Sequence, residues 1–531
     1  MWPDLGLGYG AFTFLGGLLA AEILINVRPN VTRVAYVEEG VLKDFKIERQ
    51  GSPTLVGSIY KGRVVRVLPG MQAAFVDIGL DRAAFLYVAD VRNDLENEPR
   101  LYMDQDDNED EGLTEKQSSA PRAVIQDLLH EGQIIMVQVA KDPLGTKGAR
   151  ITTHVSLAGR HVVYMPTLKH LGVSRRIADE KERDRLKKIV EGLNPKGGVI
   201  IRTACEGASE EALANDIGYL DRLWSEIEKG YDKRKTAGLI HAEIDVELRA
   251  LRDLLHEHVH RVIVDDAKVH KKVMAFINQF MPKHGKMVTL YTDAQPMFDM
   301  YNLDLEISRS LDRKIWLKSG GYIVIDEAEA LVVVDVNTGR YVGKKDLEDT
   351  ILKTNLEAVK EIAHQLRIRN CGGIIIIDFI DMEKSVHRDR VMNQLHNELI
   401  DDLAKTTIVA MSELGLVEMT RKRIRPSLVS SLCEPCPYCE GKSYVKRKDT
   451  VAQEIFRALE REVLRSKQAS NAVVHCHSTV ADWIYAEEQE SLEAVEAKIQ
   501  RPVIFKVEPS YHVEQFEIYS LFAKPMESPE A

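Results

Sequence analysis

The sequence predicts a multidomain chain that mixes α/β and α+β units. Three observations carry that reading. At 531 residues the chain exceeds an ordinary single domain, and 44% hydrophobic content supplies enough material for several cores. From about residue 21, short alternating runs broken by Gly and Pro turns read as strands of small sheets and barrels. After Ser319, apolar strands alternate with a helical repeat, the pattern of an α/β unit.

Taken in order, AEILINV and VTRVAYVEEGVLKDFKIE are short alternating strands. GSIYKGRVVRVLPGMQAAFVDIGLDRAAFLYVAD (Gly57 to Asp90) adds more, and strands resume at EGQIIMVQVAKDPLGTKGARIT (Glu131 to Thr152) after an acidic interruption. Five strands with one long excursion suit an OB-fold barrel. In AAFVDIG, Phe75 and Asp77 share one face, while Val76 and Ile78 share the other. An aromatic ring on a barrel's outer face beside Lys and Arg is a stacking platform for single-stranded bases. Phe85 and Lys147 are candidates for the same surface. Period-two patterning does not say which face is inside, so a core reading of both phenylalanines stands beside this one.

Residues 154–248 read as mixed α/β, with helices in DEKERDRLKKIVEGL and EEALANDIGYLDRLWSEIEKGYDKR around the strand GGVIIRTA. Helical periodicity dominates from Glu243 to Phe280. SGGYIVIDEAEALVVVDVNTG is two strands joined by a turn. Leu352, Leu356, Val359, Ala363 and Leu366 then mark an amphipathic helix. GGIIIIDFIDM (Gly372 to Met382) is a further strand. Past the cysteines, the helix DTVAQEIFRALEREVLRSK and the strands AVVHCH, PVIFKVEP and QFEIYSL form a small α+β tail.

Net charge is −11, so the whole chain is no magnet for nucleic acid. That average hides local contrast. DQDDNEDE (Asp104 to Glu111) holds six acids in a block expected to stay solvated, whereas RKRIR (Arg421 to Arg425) and KRK (Lys446 to Lys448) are basic. Six cysteines, three of them in CEPCPYC (Cys433, Cys436, Cys439), are no secreted disulfide framework and suit a reducing cytoplasm. Residues 1–20 are apolar and glycine-rich, without the leading positive charge of a signal peptide. Broken by glycines and met by Glu22, they make a poor membrane span, so stable membrane insertion is not expected. They are read as a non-functional extension or a misplaced start, with a weak membrane-surface contact left open.

The chemistry gathers at two strand ends. Asp335 closes the apolar run of VVVDVNTGRYV, and Asp378 closes that of GGIIIIDFIDM. Both runs read as buried strands, where a carboxylate is costly without a partner. Asn337 lies on the face of Asp335 if the strand continues. Were the two strands parallel neighbours, their ends would open on one sheet edge. Oxygen ligands on stiff elements suit a hard cation such as magnesium, which activates water and offsets charge in phosphoryl displacement. Asp381 is a third carboxylate nearby. The rival reading has each aspartate capping a loop or a helix start. Among the cysteines, one CxxC supplies two of the four ligands that structural zinc takes, and Cys433 sits in an overlapping CxxC.

These residues carry a resemblance. VVVDVNTGR, NLEAVKEIAHQLRIRNCGGIIIIDFIDM, GLVEMTRKR and the following CPYC resemble the catalytic core of the ribonuclease E/G family, as do GSIYKGRV, QAAFVDIG and GTKGARITT. The resemblance runs from about residue 21 to 446, and it is most specific from Ser319 to Cys439. It implies a magnesium-dependent endoribonuclease. The substrate would be single-stranded, A/U-rich RNA, preferably with a 5′-monophosphate. Hydrolysis would leave 5′-phosphate and 3′-hydroxyl ends, in ribosomal RNA 5′-end maturation and messenger RNA decay. Asp335 and Asp378 would hold magnesium, with Asn337 positioning it. Phe75 and Phe85 would stack RNA, and Lys147 would line the channel. Arg202 and Thr203, supported by Gly159 and Val163, would sense the 5′-phosphate. Lys405 stands where the family has an arginine at that pocket, keeping charge but losing the bidentate fork. Cys436 and Cys439 would share zinc with a second chain, giving a homodimer. Pairing into tetramers and competition by Cys433 stay open, and an intramolecular site using Cys433 and a histidine is the rival geometry.

The resemblance also implies a division of the chain. After the extension 1–20 comes a ribonuclease-H-like part at 21–53, then an OB-fold RNA-binding domain at 54–153 with an acidic loop at 95–120. A 5′ sensor region follows at 154–248, and a second ribonuclease-H-like part at 249–310. A deoxyribonuclease-like catalytic subdomain spans 311–432, a zinc link 433–447 and a small C-terminal domain 448–531. The chain is expected in the shorter branch of the family, without a long polar tail. The acidic insert and the first twenty residues depart from the pattern. Two other classes stand beside this one. One is a zinc-tethered RNA-binding scaffold without cleavage, against which Asp335, Asn337 and Asp378 argue. The other is a nuclease for DNA, since stacking platforms accept either backbone.

Overall fold

A computed structural model describes residues 21–521, except 52, 92–123, 144–146, 175, 178, 257, 340–346, 401, 413–414 and 466–470. The apolar extension and the acidic loop lie outside the described residues. The chain parts into two compact units, the first ending at Ser431 and the second beginning at Leu432.

The first unit opens with an antiparallel meander of β1 (Ala21–Arg28), β2 (Val31–Glu38) and β3 (Val41–Arg49). Next come β4 (Ile59–Leu68), β5 (Ala73–Asp77), β6 (Ala84–Tyr87), β7 (Ile134–Lys141) and β8 (Arg150–Thr152). They pair in the order β4-β5-β6-β8-β7, and β7 returns to β4, so the barrel is closed. Val64, Val76, Leu86, Val137 and Ile151 fill it. This is the five-stranded barrel that the alternating runs led us to expect.

A four-stranded sheet follows, made of β9 (Leu157–Ala158), β10 (Val162–Met165), β11 (Leu171–Val173) and, after helix α1 (Glu180–Leu193), β12 (Gly198–Ile201). Helix α2 (Glu210–Lys233) packs on it through Leu213, Ile217 and Leu220. The side chains of Asp179 and Ser209 accept bonds from first-turn amides and so start α1 and α2. Strand β13 (Gly238–His241) rejoins β4 at the barrel's edge.

Past α3 (Val246–Leu254) lie β14 (Val259–Val264), α4 (Ala267–Phe280) and β15 (Val288–Leu290). Here the sequence reading needs correction, because the helical stretch from Glu243 to Phe280 contains a strand. VHRVIV is rich in β-branched residues, and it pairs parallel with β1. The resulting sheet, β3-β2-β1-β14-β15, is built from stretches on either side of the barrel.

The last part of the first unit comprises β16 (Lys314–Trp316), β17 (Tyr322–Glu327), β18 (Leu331–Asn337), α5 (Leu347–Ile368), β19 (Gly373–Asp378), α6 (Ser385–Leu399), β20 (Thr406–Ile408) and β21 (Leu416–Arg421). The strands lie in the order β16-β17-β18-β19-β21-β20, and β18 and β19 are parallel neighbours. Val332, Val334, Val336, Ile375 and Ile377 share one core with Val359, Ile362 and Ala363 of α5 and Val391 and Leu395 of α6. The opposite face is open, with Val333 37% and Ile374 46% exposed. The two Asp-bearing strands are therefore half-buried, not buried on both faces. Both helices lie on one side, so the outward half of each apolar run meets solvent.

The second unit holds α7 (Lys448–Arg465), β22 (Asn471–Cys476), α8 (Ser478–Glu487), α9 (Gln489–Ile499), β23 (Val503–Val507) and β24 (Phe516–Leu521). Its sheet has the order β23-β22-β24, with β22 parallel to β23 and antiparallel to β24. Val451, Ile455 and Leu459 of α7 pack on Ala472 and Val474. Among the described residues no helix is long and apolar enough to cross a membrane.

Candidate active site

Asp335 and Asp378 are direct cross-strand partners in the parallel β18–β19 pair. Neighbouring strands lie about 4.8 Å apart, so register alone brings the two carboxylates together. Alternation places Val332, Val334 and Val336 in the core and turns Val333, Asp335 and Asn337 to the open face. Both aspartates are exposed. Burial thus does not force them to pair, as the sequence reading supposed. Asn337 Nδ2 donates to Asp335 Oδ2 at 2.8 Å, which leaves the amide oxygen as a further ligand atom.

The cleft over these residues measures about 290 Å³ and is lined by Asp335, Asn337, Thr338, Asp378 and Asp381, among others. Partial burial, then the charges of Asp335 and Asp381, push the Asp378 carboxyl above the usual carboxylate range. A cation relieves that crowding. The donors are hard oxygens on stiff strand ends, a set that fits magnesium. Among the described residues no three His, Cys, Asp or Glu side chains form a metal-holding group.

Two supports were missed in the sequence. Asn355 on α5 is fully buried; its Nδ2 donates to the Ile380 carbonyl at 2.8 Å, and its Oδ1 accepts from the Ile380 amide at 3.2 Å. That double bond holds the backbone between Asp378 and Asp381. Its signal was a polar residue within the helix's apolar stripe, between Leu352 and Leu356. Gly339 takes φ +61°, and a Cβ there would strike the Gly320 carbonyl. Only glycine lets the chain leave Asn337 along that path.

On the barrel, Phe75 and Phe85 pair across β5 and β6, with ring centroids 5.7 Å apart. Both are half-buried on the outer side, whereas Ala74, Val76, Ala84 and Leu86 face the core. The core reading of the phenylalanines is therefore set aside. Tyr87, also missed, packs edge-on to Phe85 at 4.4 Å under the Arg150 guanidinium. Its spacing of two from Phe85 was the available clue. Exposed Arg66 pairs with Phe75 across the strands. Lys147 is exposed, and Gly148 beside it lies so close to the Ala83 carbonyl that no Cβ would fit.

The four residues expected at a 5′-phosphate pocket come together. Val163 pairs with Ala158 and Ile200, and Arg202 Nη1 donates to the Gly159 carbonyl at 2.7 Å. Thr203 is exposed, and its Oγ1 lies 3.0 Å from Ser174 Oγ. Arg202 Nη2 donates to Asp253 at 2.7 Å. Burial raises the Asp253 carboxyl, but Arg252 and Arg202 outweigh it and hold its pKa at about 2. Arg176 Nη2 donates to the Leu403 carbonyl at 2.9 Å, tying this region to the segment that carries Lys405.

In the second unit Cys433 and Cys436 are exposed and Cys439 is partly so; all three are free thiols. Amides of Cys439 and Tyr438 point at the Cys436 sulfur and lower its pKa, which favours the thiolate that metals bind. The pair fits half of a zinc site.

Comparison with known proteins bears on the whole arrangement. The model of the ribonuclease E/G family matches residues 156–424, and that of the ribonuclease E/G thioredoxin-like domain matches 435–521. Ribonuclease G of Escherichia coli (strain K12) is 45% identical over 501 residues, covering 94% of this chain and 99% of its own length. Ribonuclease G of Haemophilus influenzae is 46% identical with the same coverage. Ribonuclease E of E. coli K12 is 37% identical over 483 residues, which is 90% of this chain but 44% of that protein. By family match and by identity along nearly all of its length, the chain belongs to the ribonuclease E/G family.

Proposed function

We propose that the chain is a magnesium-dependent endoribonuclease that cleaves single-stranded RNA at the Asp335–Asp378 cleft. Its family and its ribonuclease G and E relatives support the endoribonuclease activity, a hydrolysis. The observation that carries the assignment is the registered aspartate pair on the open face of a stiff sheet. Asp335, Asp378 and the amide oxygen of Asn337 would hold the ion. Bound there, a divalent cation supplies a water of lowered pKa and positive charge for the phosphorane-like transition state.

The chain's own residues prepare that chemistry. Asn337 keeps one Asp335 oxygen in a fixed orientation, and Asn355 holds the turn that carries Asp381. In the hydrolysis a water oxygen would bond to phosphorus as the bond to the 3′ oxygen breaks, and the 3′ oxygen would take up a proton given up by that water. The ends are 5′-phosphate and 3′-hydroxyl. Phe75, Phe85 and Lys147 bind the RNA strand, joined by Tyr87. Arg202 and Thr203, with Gly159 and Val163, receive a 5′-monophosphate, and Lys405 lies on a segment tied to that pocket.

The finer architecture belongs to the same reading. The split sheet is ribonuclease-H-like, the barrel is an OB-fold, and the Asp-bearing sheet is deoxyribonuclease-like. Cys436 and Cys439 share zinc with a second chain to give a cytoplasmic homodimer. Substrates are A/U-rich RNAs in ribosomal RNA 5′-end maturation and messenger decay. A non-cleaving scaffold has no use for a registered carboxylate pair.

The test uses a short A/U-rich RNA bearing a 5′-monophosphate or a 5′-hydroxyl, with magnesium or a chelator. Magnesium-dependent cleavage, faster on the monophosphate, is expected. No metal-dependent cleavage overturns the assignment, and equal rates remove the sensing role of Arg202 and Thr203. Asp335→Asn should lower cleavage by about 10³-fold or more and leave RNA affinity unchanged.

A further inference from the structure

The open face of the Asp-bearing sheet carries an aromatic step that the cleavage site does not use. Trp316, Tyr322 and Asn337 are successive cross-strand partners across β16, β17 and β18. The adjoining row is Lys314, Val324, Asp335 and Asp378. Directly opposed residues stand on the same face of a sheet, so all of these project to the open side. Trp316 lies two strand spacings from Asn337, about 10 Å. That is within reach of a nucleotide neighbouring one held at the cleft.

The step is built and exposed. The Trp316 and Tyr322 rings meet edge-on with centroids 5.3 Å apart, and Trp316 is 55% exposed. The Lys314 ammonium lies 4.2 Å from the Trp316 ring centroid and 3.5 Å from that of Tyr322. Trp316 lies outside the sheet's buried core, which Ile315 and Leu317 join from this edge. A cleft with three carboxylates repels a polyanion. An adjacent cation and the exposed indole give a single strand the footing that the cleft lacks.

We propose that Trp316 and Tyr322, with Lys314, form a stacking subsite for a base of single-stranded RNA beside the scissile phosphate. The proposal rests on the reading of Asp335 and Asp378 as the cleavage site. Rings take any base, so the subsite grips without reading sequence, and Lys314 meets the passing phosphate.

The test is a double-mutant cycle between protein and RNA. A short RNA cleaved at one bond is remade with each nucleotide beside that bond abasic in turn. In the unaltered protein one abasic position should lower kcat/KM about tenfold. Trp316→Ala should cost about tenfold on intact RNA and nothing further on that abasic RNA, while Trp316→Phe keeps most of the rate. An equal loss on every RNA, as from a structural role or a protein contact, overturns the subsite, and so does no loss at all. If the unaltered protein cleaves nothing, the cleavage-site reading fails. Affinities for the same RNAs then decide the subsite: an abasic-dependent loss in Trp316→Ala upholds it, and unchanged affinities overturn it.

Discussion

Asp253 turns Arg202 from a free cation into a braced one. The guanidinium divides its donors between this carboxylate and the Gly159 carbonyl. On the proposed reading, a 5′-phosphate arriving there would meet an oriented fork and would share it with a standing anion. The pH behaviour follows from the Asp253 pKa of about 2, depressed from an ordinary value of roughly 3.9. A depressed carboxyl stabilises the fold fully above its unfolded pKa and loses that contribution as pH falls through the folded one. Asp253→Asn should therefore cost about 1–2 kcal/mol of stability, an amount discounted for partial exposure. The difference should stay constant from about pH 5 upward and vanish only below about pH 2. Urea unfolding of both proteins across pH checks it. This carboxylate was hidden in the sequence, since LRDLL reads as ordinary helix and its partner Arg202 lies far back in the chain. Asp335 and Asp378 were legible because an acid after four apolar residues breaks the pattern wherever it falls.

At the scale of elements, α5 does two tasks at once. Its apolar stripe covers the buried face of the sheet, and Asn355, set in that stripe, grips the turn after β19. Asn355→Ala leaves both polar groups of Ile380 without this partner. It should cost about 2 kcal/mol, read by urea denaturation. Cleavage should fall about tenfold, because a small shift of the turn displaces Asp378 and Asp381. Normal stability with normal cleavage would remove the grip from the mechanism. The helix itself was plain from its spacing, and so were the strands. Their exposure was not: a run of valines looks the same whether one face or both are covered. Strand β14 was missed for a related reason. A short apolar run is ambiguous by period alone, and only its pairing with β1 makes it a strand.

At the scale of the molecule, the second unit carries the CxxC that the proposed dimer needs. Changing Cys436 and Cys439 together to serine should strip the zinc and halve the mass in solution, measured by elemental analysis and light scattering. A zinc-free dimer of unchanged mass would count against the shared site. A single CxxC supplies two thiolates where structural zinc takes four ligands, so ligand counting left the other donors open, and the second chain is what the family resemblance implied. Sequence alone determined most kinds of element, strand β14 excepted, and the strand-end acids, the cysteine cluster and the family motifs, because these rest on local spacing and residue chemistry. Tertiary structure decided what register and topology control. It closed the barrel through β4 and β7, built one sheet from distant stretches and opened one face of another. It also set Asp335 opposite Asp378. The reason is physical: a residue's period records which neighbours it has along the chain, whereas pairing across strands depends on how distant segments meet.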